Sequence, residues 1–478
     1  MIGSSSRFLA AVALVGSFPA LSAAAEVQES RCVDRLTPEA AAKVGGPRLP
    51  ELRYECIALA GGRSLWVGEA GNLDGAPVLL VHGLGNNAHR DWRNAIPALV
   101  ATYRVIAIDL PGFGASEALT EGLSFDGLAA TLDEVLRVRQ VERAHVVGHS
   151  LGGALGLHFA WRYPQRVERL VLVDVAGILQ RSVYARALMQ GSVAATSGNP
   201  LLSALKRPLN ALGRHLLRKV ENTVDFGAWL ERNPRALESL AGDRSQMASA
   251  ISMVEQNFAP AIRSAQVPVT LIWGRDDPVA PLRTAKLLAA RLPNAHLHVL
   301  DGVGHVPMVE APGRFAELML AGLGASFGQP APALPSTEQQ GAVVCKQKAR
   351  VLYSGRFTSL RLANCDRVRI ENAEFGYLQI DKSNAELYNV KVINPKTALL
   401  VRSSTITGTA IDVNGEIGIR ADDSVIDFAG VSVKASGRAL DLSSSATIYF
   451  SVSDLQSPGL ASDAHDIWTR ATVEAKQQ

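Results

Sequence analysis

His145-Val-Val-Gly148-His149-Ser150-Leu151-Gly152-Gly-Ala-Leu155 is the stretch that decides the fold of this chain. An apolar run ends in a Gly-x-Ser-x-Gly pentapeptide, and a small-residue helical pattern, Gly153-Ala154-Leu155-Gly156-Leu157, follows it. Glycines at both ends of the pentapeptide let the backbone turn sharply from strand into helix. Such a turn lifts the serine hydroxyl clear of the sheet and aims a helix N-terminus at developing negative charge. Glycine and serine are common in loops, so the pentapeptide alone is a weak signal. A strand before it and a helix after it make Ser150 a specific nucleophile candidate.

The same rhythm extends on both sides. Val78-Leu-Leu-Val81, Arg104-Val-Ile-Ala-Ile108, Ala144-His-Val-Val147, Leu170-Val-Leu-Val173 and Val269-Thr-Leu-Ile-Trp273 are apolar on both alternating faces. Such runs suit a parallel sheet covered on both sides, with helical segments such as 125–137 as crossovers. Ligands of open α/β sheets sit at the carboxyl ends of the strands. His82-Gly83, Asp109, Ser150 and Asp277 fall there.

A serine nucleophile needs a base, and the base needs an orienting group. His305 lies in the Gly-rich loop Asp301-Gly-Val-Gly-His305, after the strand-like Ala295-His-Leu-His-Val-Leu300. Asp277 lies in Trp273-Gly-Arg-Asp-Asp277-Pro278. The order Ser150, Asp277, His305 is that of a Ser-acid-His set on a strand-turn-helix scaffold. Asp276 and the strand-end Asp174 compete for the acid role; Asp276 reads as turn-forming and Asp174 as a strand-end hydrogen-bonding residue.

These motifs together, His82-Gly-Leu-Gly85, Asp109-Leu-Pro-Gly-Phe-Gly-Ala-Ser116, the Ser150 turn, Trp273 to Pro278 and Gly304-His305, resemble the alpha/beta-hydrolase superfamily. Within it they are similar to the branch of esterases, perhydrolase-like proteins and carbon–carbon bond hydrolases. The resemblance covers roughly residues 50–322. It implies that the backbone N–H groups of Leu84 and Leu151 form an oxyanion hole, and that His82 and His149 shape loops. It also implies a helical cap over the site at about 176–262, where the sheet rhythm stops. There, Phe226, Trp229, Met247 and Met253 are candidates to line or buttress an apolar pocket. Leucines and six basic or His positions between Leu201 and Lys219 fit either a cap helix with a solvated basic face or an interfacial helix, although Pro208 and Gly213 interrupt the pattern.

The ends of the chain carry further signals. Arg7 precedes an uncharged segment, Phe8 to Ala25, closing in Ser22-Ala-Ala-Ala25, the layout of a secretory signal peptide cut after Ala25. The competing reading is an N-terminal membrane anchor. Export places the protein in the periplasm or outside the cell. The four cysteines, Cys32, Cys56, Cys345 and Cys365, show no CxxC spacing, and of three formal pairings the local one, 32–56 and 345–365, is simplest. Each such bridge would contribute about 3 kcal/mol in the chain-entropy model; four buried thiols are the alternative. A net charge of +3 over 478 residues is too mild to imply a nucleic-acid partner or a polybasic membrane anchor. The chemistry calls for no cofactor and no metal.

Residues 323–342, rich in Pro, Ser and Gln, read as a linker, so the expected division is signal peptide 1–25, catalytic domain 26–322, linker 323–342 and a C-terminal domain 343–478. Beyond the linker Cys365, Ser383, Ser404, Ser424 and Ser445 recur at spacings of 18, 21, 20 and 21, each between short apolar runs. That period predicts rungs of a right-handed parallel β-helix, with a small β-sandwich as the alternative. The fold expected for the whole is therefore α/β, an alpha/beta-hydrolase fold with a helical cap followed by an all-β accessory domain. Three functions fit: an exported serine hydrolase of small or lipid-like carboxylic esters, the same triad on a carbon–carbon bond, or a non-catalytic binder on this scaffold. The C-terminal domain could engage a surface or polymer.

Overall fold

A computed structural model of the chain describes residues 49, 51–60, 63–85, 88–117, 124–179, 248–250, 252–253, 256–324, 340–443, 446–458, 464–465 and 470–472. The signal-peptide segment, Cys32, Phe226, Trp229, Met247, the 201–219 segment, most of the linker and Ser445 lie outside these residues.

Eight described strands make the first sheet: β1 (Arg53–Leu59), β2 (Arg63–Gly71), β3 (Pro77–Val81), β4 (Arg104–Ile108), β5 (Ala144–His149), β6 (Val167–Val173), β7 (Val269–Gly274) and β8 (Ala295–Leu300). Their order is β1-β2-β4-β3-β5-β6-β7-β8; β2 runs antiparallel to β1 and β4, and the others pair in parallel. The five bare apolar runs are β3 to β7. One face is covered by helices α1 (Phe125–Val138) and α2 (Leu151–Arg162), with Phe125, Leu132, Leu155 and Phe159 buried among them. On the other face Trp92, Leu99, Phe315 and Met319 close a second core. Each such side chain contributes about 1.5–3 kcal/mol by leaving water. Helix α1 starts where Ser124 Oγ accepts the Gly127 N–H at 3.0 Å, a cap worth about 1 kcal/mol.

Beyond helices α3 (Leu282–Arg291) and α4 (Pro312–Gly324), the chain from Gln340 onward is all-β. Most of its strands pair in parallel, turn upon turn, which is a β-helix-like arrangement and not the antiparallel pairing of a sandwich. Register stacks like on like. Leu360, Leu378, Leu399, Ile419 and Leu440 form one column, and Val368, Ala385, Ile406, Ile426 and Ile448 another. The recurrent serines explain the period. Ser383 Oγ accepts the Cys365 N–H, Ser404 Oγ the Ser383 N–H and Ser424 Oγ the Ser404 N–H, at 2.9–3.2 Å. Each hydroxyl donates to the carbonyl two residues before it, so these three buried hydroxyls are paired both as acceptors and as donors. Cys345 and Cys365 are joined in a disulfide at the first turns, and Cys56 is also disulfide-bonded.

The two bodies touch along α3. The Arg283 guanidinium donates to Asp427 Oδ2 (2.7 Å), Thr409 Oγ1 (2.8 Å) and the carbonyls of Gly408 and Asp427. Arg291 donates to the Gly430 carbonyl and to Asp412 Oδ1 (2.8 Å). Between them Lys286 lies over the Tyr388 ring, and Leu287 packs directly on Gly430. Ala429 joins the core of the first body.

Candidate active site

The chain leaves β5 at His149 and enters α2 at Leu151, so Ser150 must make the whole turn alone. Its φ of 53° and ψ of −113° lie outside the regions a side-chain-bearing residue favours. The turn is held by the Ser150 N–H donating to the Val173 carbonyl at 2.9 Å. Tightness explains the flanking glycines: a Cβ at Gly148 would run into the Gly152 backbone, and one at Gly152 into the Val81 and His82 carbonyls.

Three loops meet at this turn. Ser150 Oγ lies 3.1 Å from His305 Nε2, and His305 Nδ1 donates to Asp277 Oδ2 at 2.8 Å. The Asp277 carboxylate is buried, and its other oxygen accepts the N–H groups of Val279 (2.7 Å) and Ala280 (3.0 Å). Glu310 braces the histidine loop by accepting from Gly304 N (2.7 Å) and Val306 N (3.2 Å). Burial pushes the His305 imidazole below its ordinary range, against the raising effect of its Asp277 hydrogen bond. His305 is therefore neutral near pH 7, with Nε2 free to accept the serine proton.

His82 and His149 act on the backbone around this set. Leu110 N donates to His82 Nε2 (2.9 Å), and His82 Nδ1 donates to the Gly83 carbonyl (2.7 Å), so both ring nitrogens are used. Burial holds the His82 ring neutral. His149 Nε2 donates to the His305 carbonyl at 2.8 Å. A Cβ at Gly83 would meet His149 Nδ1 at 2.7 Å and Ser150 Cβ at 3.2 Å, so the loop carrying Leu84 lies against the serine turn. Leu151 is the first residue of α2, where helix N–H groups lack intrahelical acceptors. Asp109 organises its own loop, accepting from His89 Nδ1 (2.6 Å) and Ala115 N (3.0 Å).

Asp276 is exposed, in keeping with a turn residue. Asp174 does accept a strand-end hydrogen bond, from Gly274 N at 2.9 Å, but it also lies inside the site. One ligand atom from each of Asp174, Asp277 and His305 falls within 4.8 Å of the other two. Sequence reasoning also missed Asp91, whose Oδ2 lies 3.8 Å from His149 Nδ1 and accepts the Gly83 N–H at 3.3 Å. Met253 is fully buried against Gly177, so it buttresses the core.

Such a strained serine, backed by a histidine and a buried aspartate at the carboxyl ends of a mixed, mostly parallel sheet, is the layout of a hydrolase. The family model described as alpha/beta hydrolase fold matches residues 76–312. Lipase 3 of Moraxella sp. (strain TA144) is 30% identical over 267 residues, 55% of this chain and 81% of that protein. The 2-hydroxymuconate semialdehyde hydrolase of Pseudomonas sp. (strain CF600) is 32% identical over 279 residues, 56% of this chain and 93% of its own. An uncharacterised protein of Mycobacterium tuberculosis is 28% identical over 258 residues, 51% of this chain and 74% of its own. The chain belongs to the alpha/beta hydrolase fold family. Among the described residues no helix is long and apolar enough to cross a membrane.

Proposed function

We propose that the protein is an exported serine hydrolase that cleaves carboxylic esters through an acyl-enzyme intermediate. One observation carries the reading: Ser150 Oγ sits 3.1 Å from the acceptor nitrogen of a neutral His305, itself oriented by Asp277 at 2.8 Å. In this mechanism Ser150 Oγ bonds to the acyl carbon while its proton passes to His305 Nε2. The carbonyl electrons move onto oxygen, facing the N–H groups of Leu84 and Leu151, each worth about 3–4 kcal/mol to the transition state. The bond to the leaving alcohol then breaks as His305 returns the proton to it. Water repeats the sequence to free Ser150.

Export rests on the leader-like residues 8–25, and the Cys345–Cys365 bridge supports it, since such bonds persist in oxidising compartments. Cleavage of a carbon–carbon bond by the same triad is the second reading, favoured by the likeness to 2-hydroxymuconate semialdehyde hydrolase. The β-helix-like body is an accessory module for a surface or polymer partner and supplies no group within the triad.

Fluorophosphonate labelling followed by a series of p-nitrophenyl esters of rising chain length tests the reading. Labelling at Ser150 and turnover of at least part of the series are the expected results. Labelling that persists in folded Ser150→Ala would falsify the nucleophile assignment. Turnover of 2-hydroxymuconate semialdehyde and of no ester would favour the second reading.

A further inference from the structure

Asp174 has no place in the three-residue mechanism, yet it sits inside the site. It is the first residue after β6, with φ at 43°, and it is completely buried. Its Oδ1 accepts the Gly274 N–H, while Oδ2 is buried with no N–H or O–H donor. Asp277 and His305 each offer an atom within 4.8 Å of this carboxyl. Two carboxylates so close in a buried place cannot both stay ionised. The donor count decides which one takes the proton. Asp277 receives three N–H groups, from Val279, Ala280 and His305, and is thereby favoured as the anion. Asp174 receives one, from Gly274.

We propose that Asp174 is a neutral positioning residue whose carboxyl O–H donates to the Asp277 carboxylate and fixes that carboxylate toward His305. The unpartnered Oδ2 is then the protonated oxygen, and its O–H gains an acceptor in the Asp277 carboxylate. Burial, and next the charge of Asp277, push the Asp174 carboxyl well above the usual range, in the same direction. The donor also draws charge from the Asp277 oxygens, so His305 feels a weaker anion and stays neutral to lower pH. Other groups facing this set are His149 from β5, Asp91 from the segment after β3, and Glu310 from the segment after the His305 loop. The proposal deepens the triad reading and rests on it for its effect on turnover, though the neutral carboxyl itself does not.

The test has two arms. Infrared difference spectra of resting, full-length protein minus Asp174→Asn at neutral pH should contain the carbonyl band of a protonated carboxyl, whether or not the protein turns over any ester. A difference showing carboxylate bands in its place overturns the proposal, and leaves the triad reading to the Ser150 labelling result. The second arm compares pH profiles of kcat/KM. Asp174→Ala lacks the donor, and its acid limb should move up by about 0.5–1 unit, the worth of one hydrogen bond. Its kcat should fall about tenfold with KM little changed, about one pK unit's worth of transition-state stabilisation. Asp174→Asn keeps an N–H donor and the acceptor for Gly274; it should restore the limb to its parent position and recover most of kcat. Equal profiles for the Ala and Asn variants, or an unmoved limb in folded Asp174→Ala, overturn the positioning role. If the Ala variant does not fold, the infrared arm and the Asn profile decide.

Discussion

The hydrolase body and the β-helix-like body are both built largely from parallel strands, and they handle strand ends in opposite ways. In the first, long crossovers leave β3, β5, β6, β7 and β8 ending at one edge in loops that differ from one another. Buried titratable groups gather there: Asp174, Asp277 and a histidine whose imidazole burial lowers. Left-handed backbone occurs in both bodies, at Ser150 (φ 53°) and Asp174 (φ 43°) here and at Lys382 (φ 44°), Ser403 (φ 46°) and Asp423 (φ 44°) in the second. In the second, each turn ends in a short corner satisfied by the serine of the next. A corner serine whose hydroxyl both accepts and donates has no spare group for chemistry. Irregular strand ends carry reactivity, and regular ones carry architecture.

The comparison yields opposite expectations for the two regions. Ser150→Ala should lower kcat about a millionfold while leaving the thermal midpoint near the parent value, measured by ester turnover and calorimetry. Asp277→Asn should cost somewhat less, about ten-thousandfold. Ester turnover lost only tenfold in Asp277→Asn would mean that another group, Asp174 first, can take its place.

The pH profile sharpens the same contrast. Because burial lowers the His305 imidazole below its ordinary value of about 6.5, the base form persists below that pH. The kcat/KM profile should stay flat below 6.5 and fall only as pH drops through the depressed value. Folded protein then binds fewer protons at this residue than the unfolded chain does, so its stability also declines toward acid. An acid limb centred above 6.5 would contradict this burial argument.

Changes on the second body should do the reverse. Arg283→Ala removes the donors that hold Asp427 and the Gly408 carbonyl, and should cost about 2 kcal/mol in urea denaturation. Hydrolysis of small soluble esters should stay within about twofold, because the triad contacts are all made within the first body. Collapse of small-ester turnover in folded Arg283→Ala would show that α3, which follows the Asp277 loop, transmits the docking to the acid. Ser404→Ala leaves the buried Ser383 N–H without its acceptor and should cost about 1–2 kcal/mol, with catalysis unchanged.

Local signals account for what was legible in the sequence. The Ser150 turn, the bare runs of β3 to β7 and the chain order of Ser150, Asp277 and His305 are short motifs whose meaning depends on their neighbours in sequence. The spacing of Ser383, Ser404 and Ser424 was legible because each of these corners uses a serine hydroxyl in the same way, to accept the N–H of the corner one turn before it. Asp174 and Asp91 were not legible in their roles, since each depends on loops that meet only in the folded chain. Arg283 and Arg291 read as ordinary helix-surface charges; only the opposing carbonyls and carboxylates single them out.

The stacked columns have an evolutionary consequence. One residue inserted within a strand turns its apolar side chains outward, whereas one whole inserted turn leaves every column in register and simply lengthens it. Gene duplication in units of a single coil is thus a tolerated edit here, and point insertion is not. Reach becomes adjustable: each added coil carries the far end of the module about 4.8 Å further from α3. Selection can tune how far the module extends from α3 without disturbing Ser150, Asp277 or His305.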